Sequence, residues 1–560
     1  MKLVRLLAAV PIVAVAVASF VMLPPPPRVL SSDGMRAPVR GAMHIHTRRS
    51  DGTGTVDQIA SAAARAGLSF VILTDHGDAT REPERPSYQH GVLCIDAVEI
   101  STDDGHVVAL GLPRSPYPLG GEARDVVDDI ARLGGMSIAA HPTSAKPALR
   151  WRDWSVPVDG VEWLNGDSEW RDEKLRSLGR ALLTYPVRRA ATLAALLDRP
   201  EDALSRWDRS TASRATVGVA GSDAHARIGL RGEGDPFEPR MAFHVPSYEQ
   251  VFRTFSISVT GVTLTQDAAV DAKALIDAIR HGHVFSTIDG LASPAIVSFA
   301  AEARGRRAQM GDSLPEGVGA TFHVESNAPV NSRIVLLKDG VDVMQSSGPR
   351  QQFTAPEPGI YRIEIQLAEA PGAPPIPWVV TNPIYLRPDT RPTVEKGSAP
   401  TFTSRYQDQS AEGWTVEKSP QSQGAIDAVG TITGKQLKFR FALGGSEADS
   451  PFVGFVTPAG PIGNADRISF TAMASRPMRM SVQLRSPGGN GGERWRRSVY
   501  VDEMLRTFTI RFDEMRPLGT TSGPHPALGL VRDVLFVIDE TNARPGSNGQ
   551  IWLDDVKYGR

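Results

Sequence analysis

The sequence predicts an α/β domain followed by all-β domains. Three observations carry this: apolar runs that alternate with helix-period segments from about residue 39 to 290, apolar and polar residues alternating at period two beyond that, and a proline-rich break before residue 400. The 560 residues are enough for several folding units. With 61 Lys and Arg against 63 Asp and Glu the formal charge is −2, so no global field favours a polyelectrolyte and no nucleic-acid partner is expected.

At the N-terminus Lys2 and Arg5 precede an apolar run from Leu6 to Leu23 that ends in four prolines, the layout of an export signal. Ala16-Val17-Ala18 offers a small-residue cleavage site. Residues 1–30 therefore read as a signal peptide or, uncleaved, as a membrane anchor through residues 6–23. Either way the protein is expected outside the cytoplasm, secreted or periplasmic, and it meets a membrane only if the segment is retained. A single Cys, Cys94, excludes an intrachain disulfide and a thiolate-rich zinc site, which leaves twelve His as the soft ligands.

Within residues 36–290, apolar runs at 41–46, 70–75, 92–100, 106–111, 136–141, 160–165 and 217–223 read as strands. Segments 56–66 and 123–133 have the three-and-four spacing of crossover helices, and 168–213 reads as helices inserted before the last strand. That pattern suits a parallel barrel or a barrel-like open sheet. Residues 291–388 read as a small antiparallel, Ig-like β-sandwich with turns at Lys338-Asp339-Gly340 and Glu357-Pro358-Gly359. Residues 389–400 form a linker, and 401–560 read as a larger jelly-roll sandwich.

Six histidines fall in or beside the ends of the α/β strands, and acidic residues accompany them: His44-Ile45-His46 with Asp51, Asp75-His76, Glu99 with His106, His141, and Asp223-Ala224-His225. On an extended strand His44 and His46 point to one face and can share an ion, and Asp223 with His225 repeats the spacing. Strand ends in a parallel barrel converge on one rim, so these donors can meet. Nitrogen and oxygen donors without thiolate suit Mn, Fe or Zn. Asp75 is expected behind the ligands, orienting an imidazole. His281-Gly282-His283 follows a helical pattern without an acidic partner and reads as structural.

Together these motifs resemble those of the polymerase-and-histidinol-phosphatase (PHP) superfamily, over roughly residues 39 to 290. The first motif is matched by His44, His46, Asp51 and Gly52, the second by Thr74-Asp75-His76, the third by His141 and the fourth by Asp223 and His225. Glu99 and His106 fall at the bridging-glutamate step. The resemblance implies a distorted seven-stranded (β/α) barrel holding two or three divalent ions. His44, His46, Glu99 and Asp223 would hold one; Glu99, His106 and His141 a second; Asp51, His76 and His225 a third. The strings at 162–166 and 378–385 are more similar to the CehA/McbA branch, in which a β-sandwich follows the barrel and carbamate ester hydrolysis is known. Phosphoester hydrolysis is typical of the wider superfamily. The C-terminal region is similar to galactose-binding-like jelly rolls found as carbohydrate-binding modules, with Trp414, Trp495 and Trp552 as candidates for stacking a sugar.

The expectation is thus an exported, metal-dependent hydrolase of a small-molecule phosphoester, or of a carbamate or carboxyl ester, that uses metal-activated hydroxide. Asp51, His76, Glu99 and His225 would carry the chemistry. Arg48, Arg49 and Arg227 flank the motifs as binders of an anionic substrate. The alternative is an extracytoplasmic carbohydrate-binding protein whose metal site is structural.

Overall fold

The computed structural model describes residues 20–32, 34–171, 173–226, 228–230, 241–243, 245–314, 319–387, 401–404, 411–431, 434–446, 450–488 and 491–560. Arg227, the linker at 389–400 and most of the N-terminal apolar run, including Ala16-Val17-Ala18, lie outside the described residues. The chain is mostly β, with 40% strand and 17% helix, and it divides into two compact units. One comprises Met1–Asp78, Glu82–Pro113 and Ile130–Pro392; the other comprises Ala79–Arg81, Arg114–Asp129 and Thr393–Arg560.

In the first unit, β1 (Val39–Ile45), β2 (Phe70–Leu73) and β3 (Val92–Asp96) pair in parallel. These strands are buried from end to end or nearly so, as a strand covered on both faces must be. Helix α1 (Val56–Arg65) connects β1 to β2 and starts at a capping box, in which Thr55 and Gln58 exchange side-chain and backbone hydrogen bonds.

The apolar run at 92–100 is two strands, not one. Ala97 breaks it, and β4 (Val98–Thr102) enters a second sheet with β5 (Gly105–Leu110), β6 (Met136–Ala139), β7 (Gly160–Asn165) and β8 (Val217–Gly221). Here β4, β5 and β6 are antiparallel, whereas β6, β7 and β8 are parallel. The expected parallel arrangement is therefore met only in part. Two parallel bridges, Ile45 with Ala224 and His76 with Glu99, stitch the ends of the two sheets together.

On its other edge β1 pairs antiparallel with β9 (Ser256–Val259), which pairs with β10 (Val284–Thr287), which pairs with β11 (Val379–Thr381). The sheet thus runs without a break into the sandwich expected at 291–388. There Ala320–Ser326 buries every second residue, and Phe322 packs against Phe299 and Tyr361 at centroid separations of 5.7 and 4.7 Å.

The second unit holds two six-stranded sheets packed over Phe439, Phe455, Phe470 and Phe536. Two of the three tryptophans proposed for sugar stacking belong to that core. Trp414 packs on Phe439 at 5.2 Å, and Trp495 is buried with its indole N–H donated to the Gly523 carbonyl. Only Trp552 is partly exposed, with the Lys438 ammonium 5.2 Å from its ring.

Candidate metal centre

The nine side chains expected as ligands come together in the first unit where the two sheets are stitched. Glu99 is the hub, a carboxylate only 1% exposed. Its Oε1 lies 2.8 Å from His106 Nδ1 and 2.8 Å from His141 Nε2. Its Oε2 faces His44 Nε2, His46 Nε2 and His76 Nδ1 at 3.3, 3.3 and 3.2 Å. Asp223 Oδ1 stands 3.5 and 3.3 Å from the Nε2 atoms of His44 and His46. On the open side Asp51 reaches His46, His76 and His225 at 3.4, 3.7 and 3.1 Å. The floor of the cluster is buried, whereas His76 and Asp51 are open to solvent.

Whether these residues fit metal ions is a question of unsatisfied donors and spacing. His44 Nε2, His46 Nε2 and Glu99 Oε2 are buried without a hydrogen-bond partner, a costly condition for polar atoms. They face one another across 3.3 Å. Donors that share an ion at about 2.1 Å are held roughly 3.0–3.5 Å apart, so this spacing is that of a ligand set. Four overlapping groups have the required proximity: His44 with His46 and Asp223; His44 with Glu99 and His141; His76 with Glu99 and His106; and His46 with Asp51, His76 and His225. These groups could hold metal ions, and the two oxygens of Glu99 face different groups: Oε1 faces His106 and His141, and Oε2 faces His44, His46 and His76.

The backbone achieves this differently from the alternation expected of an extended strand. His44, His141 and Asp223 have φ of 61°, 30° and 46°, in the left-handed region that non-glycine residues rarely adopt. The β1–β2 register shifts between Ala42 and Ile45. A local kink, not strand periodicity, therefore brings His44 and His46 to ring centroids 5.3 Å apart. Three ligands held in strained conformations point to function at this place rather than to packing.

Glu162 on β7 was not among the expected site residues, although the string containing it was noted. It is fully buried, with Oε1 2.6 Å from His44 Nδ1 and Oε2 accepting the His141 N–H at 2.8 Å and the Asn165 amide at 2.9 Å. It thereby fixes the His44 ring so that Nε2 faces Glu99. The glycine at 221 makes room for it: a Cβ there would stand 1.9 Å from Glu162 Oε1.

Tyr248 was also missed. Its hydroxyl accepts from the N–H groups of Thr53 and Gly54 and donates to the His46 carbonyl at 2.7 Å, which ties the Asp51 loop to its ligand strand. Gly52 is required in that loop because a Cβ would meet the His46 carbonyl oxygen at 2.1 Å. Asp75 does not orient an imidazole, as had been expected. It accepts from the Thr47 N–H, the Thr47 hydroxyl and the Ser50 hydroxyl, each at 2.7 Å, and braces the same loop.

Of the arginines expected to bind an anion, Arg48 and Arg49 lie among the described residues. Arg49 pairs with Asp96 at 3.2 Å and with Glu84. Arg48 donates to the Thr53 carbonyl at 2.6 Å and lines a groove with Gln58, Arg65 and Tyr248. Arg171, at the end of the short helix Gly166–Arg171 that follows β7, was not expected. Burial acts to lower its guanidinium pKa, but Asp167 and then Asp223 and Asp51 raise it, so it lies within the field of the ligand carboxylates.

The titrations follow from this crowding. Burial drives the His46 ring down, but the carboxylates of Asp223 and Glu99 outweigh it and hold the ring at about 9. His44 and His141 are raised in the same way against burial, His44 chiefly by Glu162. Glu99 and Asp223, pushed up by burial, are held well below the carboxylate range by the histidines. His76 is lowered, first by burial.

No family model matches the chain, and no curated protein does. Among solved structures, a family 11 carbohydrate-binding module from a cellulosomal cellulase of Clostridium thermocellum is 17% identical over 29% of this chain and 97% of its own, with a TM-score of 0.25. A mannan-recognising carbohydrate-binding module is 12% identical over 29% of this chain and 97% of its own, with a TM-score of 0.20. An exo-β-agarase is 9% identical over 29% of this chain and 25% of its own, again at 0.20.

Proposed function

We propose that this chain is an exported metal-dependent hydrolase of the PHP superfamily. On this reading the two stitched sheets are a distorted (β/α) barrel, and the substrate is a phosphoester or, on the same centre, a carbamate or carboxyl ester. One observation carries the reading: three buried, unpartnered donors on His44, His46 and Glu99 converge at ligand spacing beneath an open face. A closed structural site would leave no such face, and it would more commonly include cysteine.

Divalent ions bound here supply Lewis acidity and lower the pKa of water. The protein's own part is positioning. Glu99 holds its two oxygens toward different groups, Glu162 fixes His44 and the His141 backbone, and Asp75 and Tyr248 fix the loop that carries Asp51. At the mouth, Asp51 is kept ionised by His225, His46 and His76 against burial that works the other way. Desolvation and the neighbouring His46 and His106 lower the His76 ring against the pull of Glu99 and Asp51, which favours the neutral form that can act as a ligand at the mouth. Arg171, paired with Asp167 and within the field of Asp223 and Asp51, is the candidate cation for an anionic substrate.

The test is turnover of p-nitrophenyl phosphate, bis-p-nitrophenyl phosphate and 1-naphthyl carbamate by Mn- or Zn-loaded protein, with His141→Ala as control. Activity lost in the variant and on chelation supports the reading. A folded, metal-replete protein that turns over none of the three while binding glycans favours the carbohydrate-binding alternative.

A further inference from the structure

The helix Leu175–Thr184 in the first unit carries exposed apolar side chains that the proposed reaction does not use. Leu175, Leu178 and Leu182 recur at helical spacing on one side of it, with Leu175 88% and Leu182 78% exposed, and Val187 is exposed just beyond. Phe20, Val21 and Met22 are exposed as well, with Phe20 at 76%. These residues belong to one surface: Arg180 Nε donates to the Met22 carbonyl at 3.1 Å, and Arg188 donates to the Pro24 carbonyl. Lys174, Arg176, Arg180 and Arg189 are exposed around the leucines. Monomeric soluble proteins seldom leave such a patch open without a partner.

We infer that this face rests on a lipid bilayer with anionic headgroups. Two features select that occupant. The uncharged apolar run from residue 6 to 23 ends at this face, because its last residues are hydrogen-bonded to the helix that carries the leucines. A segment of that length enters a bilayer, and the helix it is tied to is then brought to the membrane surface. The second feature is chemical: leucines flanked by Lys and Arg are the pattern of a helix lying in the interface, apolar side in the acyl boundary and cations at the headgroups. None of these residues is among the nine donors, so the inference stands or falls independently of the proposed reaction.

Cys94 makes the test clean, since it is buried and burial pushes its thiol up to about 11. In the full-length chain, Leu182→Cys, Leu175→Cys and, as a control on an exposed helix elsewhere, Lys273→Cys are labelled with an environment-sensitive dye. Each is mixed with phosphatidylethanolamine vesicles containing about 30% phosphatidylglycerol, or with phosphatidylcholine vesicles, each with shallow spin-labelled lipid as quencher. The expected result is a blue shift and quenching at positions 175 and 182 but not at 273. The quenching should weaken on phosphatidylcholine and fall several-fold with Lys174→Glu plus Arg176→Glu, while turnover of the chromogenic esters is unchanged. Vesicle-bound protein with no quenching at 175 and 182 overturns the inference. A blue shift without vesicles also overturns it: if it grows with protein concentration the occupant is a second copy, and if it does not the occupant is the chain itself.

Discussion

Removing and restoring the ions at different pH tests the electrostatics of the centre. In the ion-free protein Asp223 and Glu99 hold the His46 ring at about 9, against an ordinary 6.5. Proton and ion compete for the same nitrogen, so ion binding must first displace a proton that the carboxylates retain. At pH 6.5 that shift costs about 3 kcal/mol, or a few hundred-fold in affinity, relative to the deprotonated ring. The sign is fixed: affinity rises by at least about tenfold per pH unit from 6.5 and flattens only above about 9. His44 and His141, raised in the same direction, steepen the slope, and His76, lowered, adds nothing in that window. The assay is competition for Mn²⁺ against a chromophoric chelator across that range, with circular dichroism to verify the fold. Affinity that levels off near pH 6.5 in folded protein refutes the reasoning, because it means that His46 is not held by the two carboxylates or is not a ligand.

Other consequences are read more directly. Glu162→Gln keeps the shape but weakens the hold on His44, and metal affinity should fall about 10–100-fold by equilibrium dialysis while the fold persists. Tyr248→Phe leaves the Gly54 N–H and the His46 carbonyl without the phenol, while the Thr53 N–H keeps the His225 carbonyl, and so loosens the Asp51 loop. A loss of about 1–3 kcal/mol is expected in denaturant unfolding, together with weaker binding of the ion nearest Asp51. Arg171→Ala should raise KM for the anionic phosphomonoester and leave KM for the neutral carbamate unchanged in steady-state assays. For the ion-free protein, the raised His46 pKa contributes stability that is present below pH 6.5 and lost as pH rises through about 9. Thermal unfolding after chelation should therefore fall across that window, and ion-loaded protein should not follow it.

The donors were legible in the sequence because metal chemistry restricts them to a few residue types, and strand ends give those residues recognisable neighbours. What holds them was not legible, for reasons that differ from residue to residue. Glu162 looks like any acid in an apolar run, since nothing local reveals that its partners are His44, far earlier in the chain, and the His141 backbone. The left-handed backbone at His44, His141 and Asp223 carries no glycine to mark it, and it exists only because the surrounding sheets force it. Arg48 and Arg49 sit beside the first motif, but nothing local in the sequence announces that Arg48 donates to the Thr53 carbonyl or that Arg49 pairs with Asp96 and Glu84.

The β regions show the same division between composition and placement. The strand at 320–326 follows its alternation closely, because one buried face is enough to fix both register and pattern, whereas those at 333–338 and 359–366 are buried at every central position. Alternation does not say which neighbour a strand takes, so nothing announced that Val379–Thr381 would pair with Val284–Thr287 and carry one sheet from the metal-bearing part into the sandwich. Nor does it say which way a tryptophan points: Trp414 and Trp495 face inward, where a large aromatic contributes most to a core, and so are lost to ligand binding. For this chain, then, residue identity was a sound guide to which nine side chains would meet. The geometry that makes those donors a site, the strained turns, the buried Glu162 and the braced Asp51 loop, is a property of the closed fold and is expressed only when both sheets meet.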